Sequence, residues 1–364
     1  MKNLSLVNKL IFAANSVFSL LLLLTYLAPY VSPALFWPLA FFGLGYPVLL
    51  LINVLFFFYW AFNFKRQILL PIITFGIGWS QLANFVQIGN PEEIKNGVKV
   101  MSYNVRLFDL YNWSNNKQTR NQIFELIDDE TPNILCLQEF FYSEKKGYFN
   151  TLDTLIEFQN AKNYHTSYTS TSKLKHHFGI ATLSQYPIVN RGKVELANSD
   201  NNICIYSDLL INQDTVRVYN MHLASVHLAE ENYKFIENIN DEETDQQIDG
   251  SRKIVELLKN AFVKRANQVQ TIKAHIEQSP HSVIVCGDFN DTPSSYAYRY
   301  LSNGLKDSFK GSAAGIGATY SAALSPFRID YILHDPTLKS TGFKTISKEL
   351  SDHFPVTAII HLEE

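Results

Sequence analysis

The sequence predicts a mixed α/β domain preceded by an N-terminal bundle of about three transmembrane helices. Two observations lead there. The first 90 residues carry only Lys2, Lys9, Lys65 and Arg66, with no Asp or Glu, whereas residues 91–364 carry −7 of a chain whose total is −3. Beyond residue 97, short apolar runs alternate with stretches of helical spacing, the pattern of strands mixed with helices. Charged residues make up 18% of the chain, against about 25% in soluble domains, and the deficit lies in the first block.

That block, residues 1–90, contains three apolar stretches at about 10–31, 35–62 and 68–88. Each reaches the roughly 20 residues that a helix needs to cross a bilayer. Pro38, Pro47 and Pro71 are tolerated in such helices, and Tyr26, Tyr30, Trp37, Tyr59 and Trp60 cluster near stretch ends as interfacial aromatics do. A cleaved signal peptide is the alternative for the first stretch. A re-entrant or interfacial segment is the alternative for the third, which Gln81, Asn84 and Gln87 dilute. Lys2, Lys9, Lys65 and Arg66 place the N-terminus and the second loop inside. Three crossings then put the remainder outside the cytoplasmic membrane; two crossings reverse it.

A polar linker is expected at 91–97 and a globular domain over 98–364. "VKVMSYNVR" (98–106) reads as a strand carrying Asn104 at its end. Residues 115–134 have helical spacing, and Pro132 ends them. "ILCLQEF" (134–140) is a strand ending in Gln138 and Glu139. "HFGIATLSQYPIV" (177–189) is a strand, a turn and a strand start, and "VRVYNMHLAS" (216–225) is a strand ending at His222. A charged loop at 239–249 precedes a long helix over 251–278. "SVIVCGDFND" (282–291), "FRIDYILHD" (327–335) and "SDHFPVTAIIHLE" (351–363) are the last strand regions. Cys136, Cys204 and Cys286 have no CxxC spacing; an odd count of this kind is neither a zinc site nor a disulfide framework, and core cysteines are expected.

The informative pattern is where polar residues interrupt these strands. Asn104, Glu139, His222, Asp288 with Asn290, Asp330 and Asp352-His353 all fall at strand boundaries. One such Asp is ordinarily a turn or a cap. Six sites, all drawn from the metal- and phosphate-binding repertoire, point to convergence along one sheet edge.

The set "SYNVR", "CLQEF", "GIATLSQYPI", "NMHLAS", "VCGDFND", "RIDYIL" and "SDHFPV", in that order over residues 98–362, resembles the endonuclease/exonuclease/phosphatase (DNase I-like) superfamily. That group includes nucleases, sphingomyelinases and inositol-phosphate 5-phosphatases. The resemblance implies a four-layer α/β sandwich, two mixed β-sheets flanked by helices, and Mg²⁺- or Mn²⁺-dependent phosphoester hydrolysis. It also implies roles. Glu139 is the main metal ligand, with Asn104 and Asp352 completing the shell or ordering its waters. Asp288 deprotonates the attacking water, and Asn290 hydrogen-bonds a phosphoryl oxygen. His353 stabilises transition-state charge or acts as an acid–base group, with Asp330 on its other ring nitrogen. His222 is a second phosphate-side histidine supported by Asn220. Apart from the resemblance, His176 and His177 precede the "GIATLS" strand, a position from which they would reach the pocket rim, His177 to bind substrate. Gln185 stands where relatives often carry Arg.

The expected partners are a phosphate-ester substrate and a lipid bilayer gripped by the N-terminal helices; no protein partner is inferred. The substrate classes are nucleic acid, phospholipid or sphingolipid, and small phosphate esters. The −7 block disfavours long nucleic acid held by charge alone, and the anchor favours a lipid, although an anchored nuclease outside the cytoplasm also fits. An inactive binding module on the same fold is the distant alternative.

Overall fold

The computed structural model describes residues 4–89, 96–145, 147–158, 163–197, 202–226, 244–321 and 327–362. The chain divides into two compact units. The first comprises Met1–Asn84, Ser225–Asn267 and Asp291–Tyr300; the second comprises Phe85–Ala224, Gln268–Asn290 and Leu301–Glu364. The apolar block thus shares a unit with two segments from later in the chain. Most of the expected linker, residues 91–95, lies outside the described residues, as do His227 and residues 239–243 of the charged loop.

In the first unit, α1 (Leu6–Leu27) starts at Ser5, whose Oγ accepts the Asn8 N–H at 3.2 Å. Two short helices, α2 (Pro33–Phe36) and α3 (Pro38–Leu44), each begin on a proline, whose missing N–H costs nothing at that position. Next come α4 (Tyr46–Phe62), α5 (Leu69–Ile77) and α6 (Trp79–Leu82). Helices α1 and α4 run antiparallel, since Asn8 bonds Tyr59 while Ser19 bonds Asn53.

The three expected crossings are corrected here. Among the described residues, only Leu6–Tyr30 is by itself long and apolar enough to cross a membrane. Helices α3 and α4 meet that test only as a pair bent by 60°, and the third stretch yields the shorter apolar helix Arg66–Ile77. The breaks have local causes. Gly45 separates α3 from α4, and Gly78 separates α5 from α6, where a Cβ would lie 2.0 Å from the Tyr26 ring. The third stretch ends in a two-residue strand, β1 (Gln87–Ile88).

The second unit contains two six-stranded mixed sheets. Its elements are β2 (Val98–Asn104), α7 (Thr119–Glu130), β3 (Ile134–Ser143), α8 (Thr151–Phe158), β4 (Asn163–Thr171), β5 (His176–Ser184), β6 (Ile188–Lys193), β7 (Ile203–Ile211) and β8 (Asp214–His222). The long α9 (Thr244–Glu277) follows, its residues up to Asn267 belonging to the first unit, so the expected charged loop becomes helix from Thr244 onward. Then come β9 (Ser282–Asp288), α10 (Tyr296–Ser302, in the first unit up to Tyr300), β10 (Lys306–Asp307), β11 (Ala314–Gly315), β12 (Asp330–His334), β13 (Lys339–Thr345) and β14 (Val356–His361). The sheet orders are β13-β14-β2-β3-β5-β4 and β10-β12-β9-β8-β7-β6. In each, one pair is parallel (β2 with β3, β8 with β9) and the others are antiparallel.

The inner faces meet in one core, where Val100, Ile134 and Cys136 pack with Val218, Ile284, Cys286 and Ile332. The three cysteines are buried and unbridged. Outside the first sheet, Ile123, Phe124 and Ile127 of α7 cover Met101, Tyr103 and Leu135. That helix stops at Thr131, whose left-handed φ of 43° precedes Pro132. Outside the second sheet, buried Val269, Ile272 and Ile276 line the C-terminal part of α9, and the Tyr219 hydroxyl meets His275 Nδ1 at 2.8 Å. Two sheets flanked by helices are the expected arrangement.

Candidate active site

Register brings the polar strand boundaries together. In the second sheet His222 pairs with Asp288, and Asp288 with Asp330, so three polar residues occupy one row. In the first sheet Asn104 pairs with Gln138, one residue before Glu139. Glu139 sits in a bulge of β3 between Leu137 and Phe140, with a left-handed φ of 47°. Such a conformation in a non-glycine residue costs energy and clusters at functional sites.

Gly287 explains the motif around Asp288. Its φ is +146°, and a Cβ would lie 2.1 Å from the Met221 carbonyl oxygen. Only glycine lets β9 close on β8 here. Asn290 adopts φ 53°, which Asn tolerates. Its backbone N–H donates to Asp288 Oδ1 at 2.8 Å, and its side-chain amide donates to the Leu223 carbonyl at 3.1 Å.

Asp288 Oδ2 is the hub of the site. It accepts from Asn104 Nδ2 at 3.0 Å, and it lies 3.6 Å from His222 Nε2 and 3.7 Å from His353 Nε2. The same Asn104 amide donates to Glu139 Oε1 at 3.2 Å, which is 3.8 Å from His222 Nε2. Asp288 is buried, and His222 Nε2 is buried without a hydrogen-bond partner. On the far side of His353, Nδ1 contacts Asp330 Oδ2 at 3.0 Å, and Asp330 is steadied by Thr319 Oγ1, which accepts its backbone N–H at 3.1 Å. Burial opposes charge on His353, but Asp330 and then Asp288 hold the imidazole protonated well above the usual range. Burial pushes Asp330 up to about 6, against the pull of His353.

Asp352 lies at the rim, 3.4 Å from Arg106 Nε. Its loop is tied to the site by Ser351, which donates to the Asn104 carbonyl at 2.9 Å. Arg106 stands two residues after Asn104, outside the strand-boundary pattern. Its guanidinium lies 4.7 Å above the Trp113 ring, next to Tyr111. Thr319 and Tyr320, whose ring meets His353 edge-on at 5.2 Å, had no sequence signal.

His177 is not brought to this cluster. Its ring packs between Tyr142 and Tyr168, and its nitrogens contact Glu144 at 3.0 Å and Thr171 at 3.1 Å. Asn220 supports the sheets instead of His222: it accepts from Gln138 at 2.7 Å and donates to the Ala181 carbonyl at 2.9 Å. Gln185 accepts from Asn133 at 2.8 Å, beyond the opposite end of β5.

Residues 101–353 match the sequence model described as the Endonuclease/Exonuclease/phosphatase family. The chain belongs to the endonuclease/exonuclease/phosphatase family. Members of this family hydrolyse phosphate esters and generally depend on a divalent metal. Residues 8–85 match a second family, described as a domain of unknown function (DUF8431). No curated protein matches the chain.

Solved structures share the family fold. An endonuclease/exonuclease/phosphatase family protein from Bacteroides thetaiotaomicron is 17% identical, with TM-score 0.54 over 76% of this chain and 100% of its own. The human Nocturnin catalytic domain with bound sulfate is 18% identical, with TM-score 0.52 over 77% of this chain and 96% of its own. A mannosyl-6-phosphatase from Bacteroides thetaiotaomicron VPI-5482 is 17% identical, with TM-score 0.50 over 73% and 100%.

The donor set fits a hard cation of the kind this family uses. Glu139 and Asp288 share a single neutral donor, Asn104, so two carboxylates converge on one amide. Oxygen-rich sites of this kind suit Mg²⁺ or Mn²⁺. Asp288, Asp330 and His353 also bring one donor atom each within 4.8 Å of one another. That trio is the poorer match, because Asp330 is committed to His353 and a protonated imidazole cannot ligate. The Glu139–Asn104 side is the better one.

Proposed function

We propose that the chain is a membrane-anchored, metal-dependent phosphoesterase that cleaves a phosphodiester or phosphomonoester by in-line attack of water. The observation that carries this reading is Asp288 Oδ2 set between two imidazole Nε2 atoms, at 3.6 and 3.7 Å, beside the Glu139–Asn104 pair. Asp288 takes the proton of the attacking water at Oδ2. Asn290 fixes the loop and offers its amide to a phosphoryl oxygen. His353, held cationic, opposes the negative charge that grows in the transition state. His222 Nε2, which lacks a partner, faces the phosphate and donates to the leaving oxygen. Glu139, Asn104 and Asp352 would hold Mg²⁺ or Mn²⁺, which when bound neutralises phosphoryl charge.

The full-length protein in detergent, supplied with Mg²⁺ or Mn²⁺, is expected to release p-nitrophenol from bis-p-nitrophenyl phosphate. A panel of plasmid DNA, sphingomyelin vesicles and p-nitrophenyl phosphate assigns the substrate class. No release with either metal refutes the hydrolase.

The anchor reading rests on an inside-out pattern. Asn15, Ser19, Thr25, Asn53 and Thr74 are buried between apolar helices, while Leu10, Val17, Leu20, Leu51, Leu55 and Phe58 are exposed. The buried groups satisfy one another: Asn15 donates to Ser19 at 3.2 Å, Ser19 to Asn53 at 3.0 Å, and Trp60 to Asn15 at 3.0 Å. Water would favour the reverse arrangement, and lipid favours this one. Because α1 and α4 are antiparallel, Lys9 shares an end of the hairpin with Lys65 and Arg66. The positive-inside rule puts that end in the cytoplasm and residues 28–45 outside. Alkaline carbonate is expected to leave the protein in the membrane pellet. Release by carbonate would refute the anchor.

A further inference from the structure

We infer that the apolar N-terminal helices position the loop that follows Asn290, and are not merely a tether. This rests on the role given to Asn290 above. Asp291 is the next residue in the chain, and Asp291–Tyr300 belong to the apolar unit. Asp291, Thr292, Ser294, Ser295, Ala297 and Tyr298 are all buried.

Two different helices grip Ser294. Gly43 of α3 packs against its backbone so closely that a Cβ would lie 2.6 Å from the Ser294 carbonyl oxygen and 3.0 Å from the Ala28 Cβ. Gln81 of α6 donates to the Ser294 hydroxyl at 2.5 Å. The ends of the loop are tied down as well. The Arg299 guanidinium sits 4.2 Å above the Tyr30 ring. At the other end, Asp291 accepts from Arg265 Nε of α9 at 3.0 Å. Three residues before Arg265, Phe262 meets Phe41 edge-on with ring centroids 5.3 Å apart.

A span needed only for anchorage requires lipid-facing side chains. It does not require a glycine with no room for a methyl group, or a glutamine aimed at a serine more than 200 residues later. These contacts fix the backbone one peptide bond beyond Asn290, whose left-handed φ of 53° depends on where the following chain goes. Displacements of about 1 Å in such a positioning element cost on the order of 10²-fold in rate.

The test uses the full-length chain in detergent, with bis-p-nitrophenyl phosphate as probe. Gly43→Leu and Gln81→Leu are compared with Gln81→Glu, which can still accept from the Ser294 hydroxyl. Gly76→Ala is the control, since nothing lies within 4 Å of a Cβ there. Gly43→Leu is expected to lower kcat roughly 10-fold and Gln81→Leu roughly 5-fold, with KM unchanged. Gln81→Glu and Gly76→Ala should stay within about two-fold. Amide exchange of residues 292–298 should quicken in the two Leu variants, while that of 283–287 does not. Faster exchange with full kcat, or unchanged exchange in both Leu variants, overturns the proposal. If the wild-type chain is inactive, the proposed reaction has failed instead, and exchange alone then decides whether Gly43 and Gln81 hold the loop.

Discussion

Asp288→Asn is expected to lower kcat on bis-p-nitrophenyl phosphate by roughly 10³-fold while Tm falls by only a few degrees. A factor of that size is about 4 kcal/mol of barrier, within what a positioned general base supplies. The substitution keeps the volume of a buried side chain, so no cavity opens. It does disturb the hydrogen bonding. One carboxylate oxygen accepts from the Asn290 backbone and the other from Asn104. An asparagine can serve only one of these donors and must aim its own N–H at the other. Losing one such bond costs about 1–2 kcal/mol of stability, well short of the barrier change. Kinetics and thermal unfolding of the same preparation therefore separate the two effects. Parallel loss of kcat and of folded protein would mean that Asp288 only holds β9 to Asn104. Retained kcat would remove Asp288 from the chemistry.

Most of the site was legible in the sequence because its residues are boundary residues. Asn104, Glu139, His222, Asp288, Asp330 and His353 interrupt apolar strands, and parallel or antiparallel register does the rest. Arg106 is legible in a different way, as a cation directly after a site strand. Thr319 and Tyr320 carried no signal, since a Thr that accepts two backbone N–H groups looks like any loop Thr. His177 misled because a histidine before a site strand reads the same whether it faces the pocket or packs on the outer side between Tyr142 and Tyr168. Alternation alone does not say which face is which once a bulge has shifted β3.

The N-terminal block was legible in composition and misread in geometry. Length and hydropathy over 68–88 suggest a span, but Gly78 exists to admit the Tyr26 ring, and the helix breaks there. A window average cannot see that contact. The same limit applies to Gly43 and Gln81, which look like a small residue and a polar blemish in apolar stretches. Their partner, Ser294, is too far along the chain for any local pattern to connect them.

The second large effect is expected at His353. His353→Ala should lower kcat by roughly 10²–10³-fold, the usual loss when a donor to a developing oxyanion is removed. Asp330→Asn tests whether the charge of the imidazole, and not just its placement, matters. The amide oxygen introduced by that substitution can still accept from Nδ1, so the ring stays oriented, but the negative charge that opposes burial is gone. Burial then drives the imidazole toward its neutral form, so its pKa falls. The direction follows from the active form. If protonated His353 is required, wild-type activity persists until the pH climbs through its raised pKa, and in Asp330→Asn that alkaline limb moves to lower pH. A roughly 10-fold deficit at pH 8 is therefore expected to narrow toward pH 6, where Asp330, itself pushed up to about 6, has lost half its charge in the wild type. The same shift touches folding: His353 contributes stability that is complete below its unfolded pKa and fades as pH rises through the folded one. A pH-independent deficit would instead make His353 a positioned neutral donor, with Asp330 serving only to aim it.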